Sequence, residues 1–475
     1  MKRNVVLIVL DTVRQDYFEE YAPRLRSASD VSFEQCRAAS SCSVPSHASM
    51  MTGQLPHRHG IHSFAVDYSG LGESNTFLGD LPDHRSIGVS ANTFAGSPFG
   101  FDEMFDEFAD ISWTRRFPDG MDAREFVTLS DATGLDFYRD FFETAISHDY
   151  PLRTMGNAAL AQLDMVFSRL PFPKVLDDGA SAVLKTALDR ANGSSEPFFT
   201  FINLMDAHTP HQPIRQYDRS IGHVPSDWSS LGDLNQWEIS RHGIDGHEES
   251  VENFRRLYAA SIEYLDRQVA SFVRRLRALT DRETTVVLTA DHGENLGYPA
   301  DDGLFGHNSS LSEGLLHVPL ALINPPDGYA ARETDYVSQI ELGTLVAGVA
   351  HGQTPDVFAE RIAAERIGTT NVPAVDDSEQ AYWRRMLRCA YEGDSKFVWD
   401  SFDECIKYEL DPTKPCWQRP MAGENAVVPP SWATAFFDGE IAAYERESGG
   451  ADGTLERYTD VTDATRSRLE ELGYL

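Results

Sequence analysis

The sequence predicts an α/β protein built on a large, mixed but mostly parallel sheet flanked by helices, and three observations carry that expectation. Val5 to Leu10 is an unbroken apolar run rich in β-branched residues, and it ends on Asp11. Thr285 to Ala290 repeats the design before Asp291-His292, and Pro197 to Leu204 is a third run of this kind. Such runs mark strands buried on both faces, as parallel sheets require. Ligands of open α/β sheets gather beyond the carboxyl ends of the strands, so Asp11, Asp291 and His292 are expected at one rim.

The 475 residues can bury a substantial core and form more than one domain. Forty-one basic residues stand against 74 acidic ones, and the net charge of −33 argues against nucleic acid and anionic membrane surfaces as partners, because both would be repelled. Lysine occurs only at Lys2, Lys174, Lys185, Lys396, Lys407 and Lys414, so nearly all positive charge is Arg. That balance suits a halophilic, high-salt cytoplasm, where long-range repulsion is screened. The run after Met1-Lys2-Arg3 is too short for a secretory signal, and nothing approaches the ~18 apolar residues of a membrane span. A cytoplasmic location is therefore expected. Five cysteines with no C-x-x-C pair read as free thiols.

Taken in order, the first strand is followed by a loop through Asp16 toward Pro23 and a short helix. Ser40 to Gly53 then places Ser43 just before a helix N-terminus, with Gly53 as its stop. Unpaired N–H groups there stabilise an alkoxide or a bound anion. Pro56 to His62 is rich in histidine, and His57 and His62 read as structural loop residues. Arg85 to Asn92 is a strand with a polar end. The stretch from 93 to 195 carries little readable pattern apart from a helix at Gly179 to Ala191. The third apolar run feeds Asp206-Ala207-His208. Gln212 to Glu249 reads as a surface insertion, and Val251 to Leu279 as a long amphipathic helix. Ala390 to Trp399 forms a hairpin, Cys405 to Leu410 another strand, and Arg466 to Leu475 a closing helix.

On these motifs the chain resembles the sulfatase family of the alkaline-phosphatase-like superfamily. The family motif has Cys or Ser, any residue, Pro, any residue, Arg, then a helix ending in Thr-Gly. Ser43-Val44-Pro45-Ser46-His47 and Met51-Thr52-Gly53 fit it with His47 in place of the Arg. Cys42 stands one place too early to be the residue that sulfatases oxidise to formylglycine. The resemblance implies a catalytic domain over 1–370, with the insertion at about 212–250, and a small C-terminal subdomain over 371–475 that holds an antiparallel sheet and a helix. It also implies that Tyr336 to Ala350 is the helix closing the large domain.

The same resemblance implies a site. Asp11, Ser43, Asp291 and His292 would hold one divalent metal ion, with Mn²⁺, Zn²⁺, Ca²⁺ and Mg²⁺ as candidates. Thr12 stands where relatives place a second acid, which moves the ligand set from calcium toward Mn²⁺ or Zn²⁺. Ser43 would be the nucleophile, with His47, His208 and His307 as catalytic candidates and Asn92, His208 and His307 as substrate contacts. Asp206 and His208 are two residues apart, too close for a second metal site on one helical turn. The expected activity is hydrolysis of a sulfate ester. A phosphate mono- or diester hydrolase, a phosphoalcohol transferase, and a non-catalytic anion- or glycan-binding relative are the alternatives. The expected partner is a small anionic ester, carried on a glycan or a lipid among other possibilities. The oligomeric state is not encoded in any motif.

Overall fold

Strand β1 (Asn4–Leu10) runs through the middle of the large sheet with every residue buried. The computed structural model describes residues 2–130, 134–167, 172–193, 196–307, 310–369, 372, 375–421, 427–447 and 465–466. Among them the other strands, in chain order, are β2 (Val31–Arg37), β3 (Arg85–Ser90), β4 (Glu107–Asp110), β5 (Phe198–Leu204), β6 (Thr284–Thr289), β7 (Asn295–Leu296), β8 (Phe305–Gly306), β9 (Leu320–Ile323), β10 (Arg332–Ser338) and β11 (Phe358–Ala359). The sheet order is β11-β10-β2-β9-β6-β1-β5-β3-β4, and β7 and β8 form a separate ladder. β1 is parallel to both β5 and β6, with Leu10 beside Leu204 and Val9 beside Thr289. β9 runs antiparallel between β6 and β2, which leaves β2 pointing the same way as β1. The carboxyl ends of β1, β2, β3, β5 and β6 therefore share one edge.

Helices cover both faces. They are α1 (Gln15–Tyr21), α2 (Pro23–Ala28), α3 (Ser43–Thr52), α4 (Pro56–His59), α5 (Ala123–Leu129), α6 (Gly134–Ser147), α7 (Pro151–Phe167), α8 (Ala180–Ala191), α9 (Ser230–Asp233), α10 (Gln236–His242), α11 (Glu248–Leu279), α12 (Glu313–Leu316) and α13 (Leu342–Ala350), with short helices beyond. α11 buries Phe254, Leu257, Leu265 and Val269 at helical spacing, each worth about 1.5–3 kcal/mol of apolar burial. Its first turn carries Glu248 and Glu249, acids that suit the positive end of the helix dipole and extend it N-terminally of the expected Val251.

The small sheet is a five-stranded antiparallel meander of β12 (Arg361–Arg366), β13 (Leu387–Glu392), β14 (Ser395–Asp400), β15 (Cys405–Leu410) and β16 (Gln418–Pro420). β13 and β14 are the expected hairpin and β15 the expected third strand. β12 lies ahead of position 371, so the small sheet takes its first strand from residues assigned by sequence to the large domain.

Two expectations change. Tyr336 to Ala350 is not one helix: β10 runs to Ser338, Gln339–Glu341 is a 3-10 turn, and the helix starts at Leu342. Pairing with β2 satisfies the backbone of 332–338. The 212–250 insertion is not merely a surface excursion, because Ile214, Tyr217, Trp228 and Ile239 are buried in the main core. Their irregular spacing hides that burial from any periodic reading. The closing helix expected at 466–475 lies outside the described residues except for Arg466.

Candidate active site

Three turns beyond three parallel strands build the centre of the site. Asp11 follows β1, and Asp291 and His292 follow β6. One side-chain atom of each lies within 4.8 Å of the others, and all three residues are fully buried. The chain after β2 supplies the fourth group. Cys42, in extended conformation, caps α3, so Ser43 is the first helical residue rather than the residue before it. Its Oγ lies 3.3 Å from His292 Nε2. Gly53 ends the helix in the left-handed region at φ 68°, as the sequence implies.

Each expected ligand presents a free atom to a common point. Asp11 Oδ2 accepts from Asn92 Nδ2 at 2.7 Å and Asn203 Nδ2 at 3.4 Å, while Oδ1 is buried with no hydrogen bond. Asp291 Oδ1 accepts from the backbone N–H groups of Thr12 and His292, while Oδ2 has no hydrogen bond. His292 Nδ1 lies 2.8 Å from the Gly293 carbonyl, which only an N–H can satisfy, so the Nε2 lone pair is left for a ligand. Leaving two carboxylate oxygens orphaned in a dry interior costs kilocalories unless a cation completes them. The donor set of two carboxylates, an imidazole and a hydroxyl thus fits one divalent ion.

The electrostatics agree. Burial, then the Asp291 charge, pushes the Asp11 carboxyl well up from its ordinary value. Burial opposes ionisation of Asp291 too, yet the His292 and His47 rings and Ser43 hold it below the usual range. The two carboxyls are therefore pushed in opposite directions, and a cation between them would favour the ionised form of both.

The remaining candidates divide in two. His208 and His307 stand at the mouth of the cluster, ring centres 5.3 Å apart, with His307 4.9 Å from His292. Burial and the His307 charge bring His208 down to about 3, and burial and Arg366 bring His307 down to about 4. Asn92 and His47 are placed differently from expectation. The Asn92 amide is used at both ends, its Nδ2 on Asp11 and its Oδ1 on the Phe94 N–H, so it orients the Asp11 carboxylate. His47 is equally enclosed: Nδ1 bonds the Ser43 carbonyl at 2.8 Å and Nε2 meets Asn203 at 3.1 Å. It braces the first turn of α3 and does not stand in for the motif's arginine. His57 is tied to Glu365, and His62 Nδ1 accepts from the Phe64 N–H, both structural uses. Thr12 holds φ at 60°, uncommon for a β-branched residue, with its hydroxyl on the Ala207 carbonyl at 2.8 Å. It is not available as a further ligand.

Sequence reasoning missed three groups. Asn203 is a lone amide near the end of an apolar strand, a signal that was present. Glu294 follows Asp291-His292-Gly293; its Oε2 meets His307 Nδ1 at 3.1 Å, and burial pushes its carboxyl up to about 8. Arg366 comes from β12 of the small sheet and donates from Nη1 to Ser41 Oγ and to the His307 carbonyl, both at 2.9 Å. Its Nε and Nη2 also hold the nearby Thr369 hydroxyl, but no local pattern points to the site, because Ser41 and His307 lie 325 and 59 positions away.

A nine-stranded mixed sheet with buried acids, a histidine and a serine gathered on its carboxyl edge defines a hydrolase of the alkaline-phosphatase-like kind. The sulfatase family model matches residues 3–352, and the chain belongs to that family of ester hydrolases. It is 22% identical over 488 residues to the choline-sulfatase of Rhizobium meliloti (strain 1021), covering 94% of this chain and 88% of that one. Two solved structures share the fold. The phosphonate monoester hydrolase of Agrobacterium radiobacter superposes with a TM-score of 0.60 at 14% identity, over 98% of this chain and 96% of that one. The phosphonate monoester hydrolase of Silicibacter pomeroyi gives 0.57 at 15% identity, over 98% and 97%. No helix among the described residues is long and apolar enough to cross a membrane.

Proposed function

We propose that this sulfatase-family hydrolase cleaves a small sulfate ester with Ser43 as nucleophile, at a divalent cation held by Asp11, Ser43, Asp291 and His292. The carrying observation is the convergence of two orphaned carboxylate oxygens, Asp11 Oδ1 and Asp291 Oδ2, with His292 Nε2 and the Ser43 hydroxyl. A divalent cation bound there supplies a lowered pKa for the serine hydroxyl and neutralises charge on the ester.

The chain's own groups do the rest. The first-turn N–H groups of α3 face the anionic oxygens near Ser43. The serine hydroxyl gives its proton to solvent as its oxygen forms a bond to sulfur and the sulfur–alkoxide bond breaks, and the leaving oxygen takes a proton from His208 or His307. Both rings are neutral at neutral pH in the free protein, and an arriving anion raises their proton affinity, the sign a general acid needs. Water then attacks the seryl ester and restores Ser43. Glu294 orients His307, and Arg366 fixes the His307 carbonyl to the turn before the nucleophile.

A second reading, hydrolysis of a phosphate or phosphonate ester by unmodified Ser43, is favoured by two details. Cys42 points its thiol toward Ser63 at 3.9 Å, and His47 is closed off from any sulfate. A covalent serine sulfate would also turn over slowly without oxidation of the serine. The test compares an aryl sulfate, an aryl phosphate and an aryl phosphodiester at high KCl with Mn²⁺, with Ser43→Ala as control. Serine-dependent turnover of the sulfate supports the first reading. Turnover of phosphoesters alone supports the second, and an active Ser43→Ala protein refutes both.

A further inference from the structure

Most of the large apolar side chains exposed among the described residues lie in one helical stretch, between 117 and 172. Among the described residues twenty large hydrophobic side chains are exposed, and thirteen of them fall between 117 and 172. α6 and α7 form a helical hairpin joined through 148–150. Along α6, Leu135, Tyr138, Phe142 and Ile146 recur at three- and four-residue steps and make one exposed stripe; Leu152, Met155, Leu163 and Val166 line the outside of α7. Leu135, Leu152 and Ile146 are 88, 83 and 69% exposed, so these are not grazing contacts with water. Between α5, α6 and α7 lies an apolar cleft of about 610 Å³, walled by Phe126, Phe137, Phe141, Met155 and Met165.

We propose that this face is covered by the same face of a second copy of the chain, the two hairpins packing across a two-fold axis as a four-helix bundle. Area is the first argument. The eight stripe residues leave on the order of 900 Å² of side chain in water, beyond the 300–600 Å² of a typical monomer's largest patch and close to the ~800 Å² each partner buries in a stable complex. Shape is the second. One surface carries both protruding aliphatic side chains and a cleft able to receive them, so an isologous pair fills both clefts at once.

Charge separates this occupant from a bilayer. The polar positions of α6 are Asp136, Asp140 and Glu143, with Arg139 drawn to all three at 3.5–3.9 Å. Arg153 of α7 is paired with Asp119, and no lysine occurs between 134 and 167. Helices that lie on membranes carry Lys and Arg on their polar face, the opposite pattern. Two copies each bearing −33 repel in dilute salt, so the dimer tightens as KCl is added and the repulsion is screened.

Sedimentation velocity on the full chain across a KCl series tests this, beside a variant carrying Ile146→Asp and Leu152→Asp. Both positions face water in the single chain, so the variant folds with an unchanged circular dichroism spectrum and unchanged hydrolysis. The wild type is expected at the mass of two chains in molar KCl, and the variant at the mass of one, with self-association weakened on the order of 100-fold. A wild type that stays single at all salt and protein concentrations overturns the proposal, as does a variant that remains paired. A single-chain wild type that floats with zwitterionic vesicles, or takes up an alkyl probe in the cleft, overturns it in favour of that occupant.

Discussion

Two buried clusters of charge lie in this fold, and they are solved in opposite ways. At the carboxyl edge of β1 and β6, Asp11 and Asp291 face one another with one oxygen each unbonded, and among the described residues no lysine or arginine pairs with either. Where the large sheet meets the small one, Glu313 is fully enclosed. Arg37 donates to its Oε2 at 2.8 Å, and Tyr391 and Lys396 donate to its Oε1 at 2.8 and 3.0 Å. The consequences run in opposite directions: Asp11 is pushed up, whereas Arg37 and Lys396 overcome the burial of Glu313 and hold it at about 2. A satisfied cluster is structure, and an unsatisfied one awaits a ligand.

The largest effect expected is on chemistry. Ser43→Ala should lower kcat by at least about 10³-fold while thermal stability stays near wild type, and wild-type-like turnover would remove the serine from its role. Glu313→Gln tests the other cluster: leaving Arg37 and Lys396 buried beside an uncharged partner should cost about 3–5 kcal/mol in denaturant unfolding. Acid titration of stability sharpens that contrast. Because the folded Glu313 value lies below its ordinary 4.5, its contribution is complete above about 4.5 and is lost as pH falls through about 2. That loss amounts to at most about 3 kcal/mol, and the Gln variant should lack this part of the slope. Asn92→Ala should weaken divalent-metal binding about 10–100-fold by titration calorimetry, with KM for the ester little changed. A substrate contact would move KM instead. The smallest effect is expected at the other acid of the pair: in chelator, Asp291→Asn should lower stability by about 1 kcal/mol, since the His292 and His47 rings and Ser43 favour its ionised carboxylate. A stabilised variant would mean that repulsion from Asp11 outweighs those partners.

What could be read from the sequence follows from how local its signals are. β1, β5 and β6 are continuous apolar runs, and a parallel sheet places their polar ends together, so Asp11, Asp291 and His292 were legible without any fold in hand. Ser43 was legible because Pro45 and Gly53 bracket a short helix. Arg366 was not, since it reaches the site from another sheet. Sequence reasoning gives Asn92 as a substrate contact and His47 as a catalytic candidate, and only the folded chain shows them bonded to Asp11, Ser43 and Asn203. Arg332 to Ser338 hid as a strand because only its last residues are buried, and a half-exposed edge has no apolar run to show. The 93–195 stretch resisted because its helices turn apolar residues outward as well as inward.

The parallel register between β1 and its neighbours has a consequence for when the protein becomes active. Strands near positions 4, 198 and 284 must be aligned residue for residue, since a slip of one moves a side chain by about 3.3 Å and to the opposite face. The site therefore cannot assemble on a growing chain until residue 292 has left the ribosome, and Arg366 joins later still. Activity, measured on chains stalled at successive lengths, becomes a readout of synthesis: silent until residue 292 has emerged, then rising as the chain through Arg366 follows.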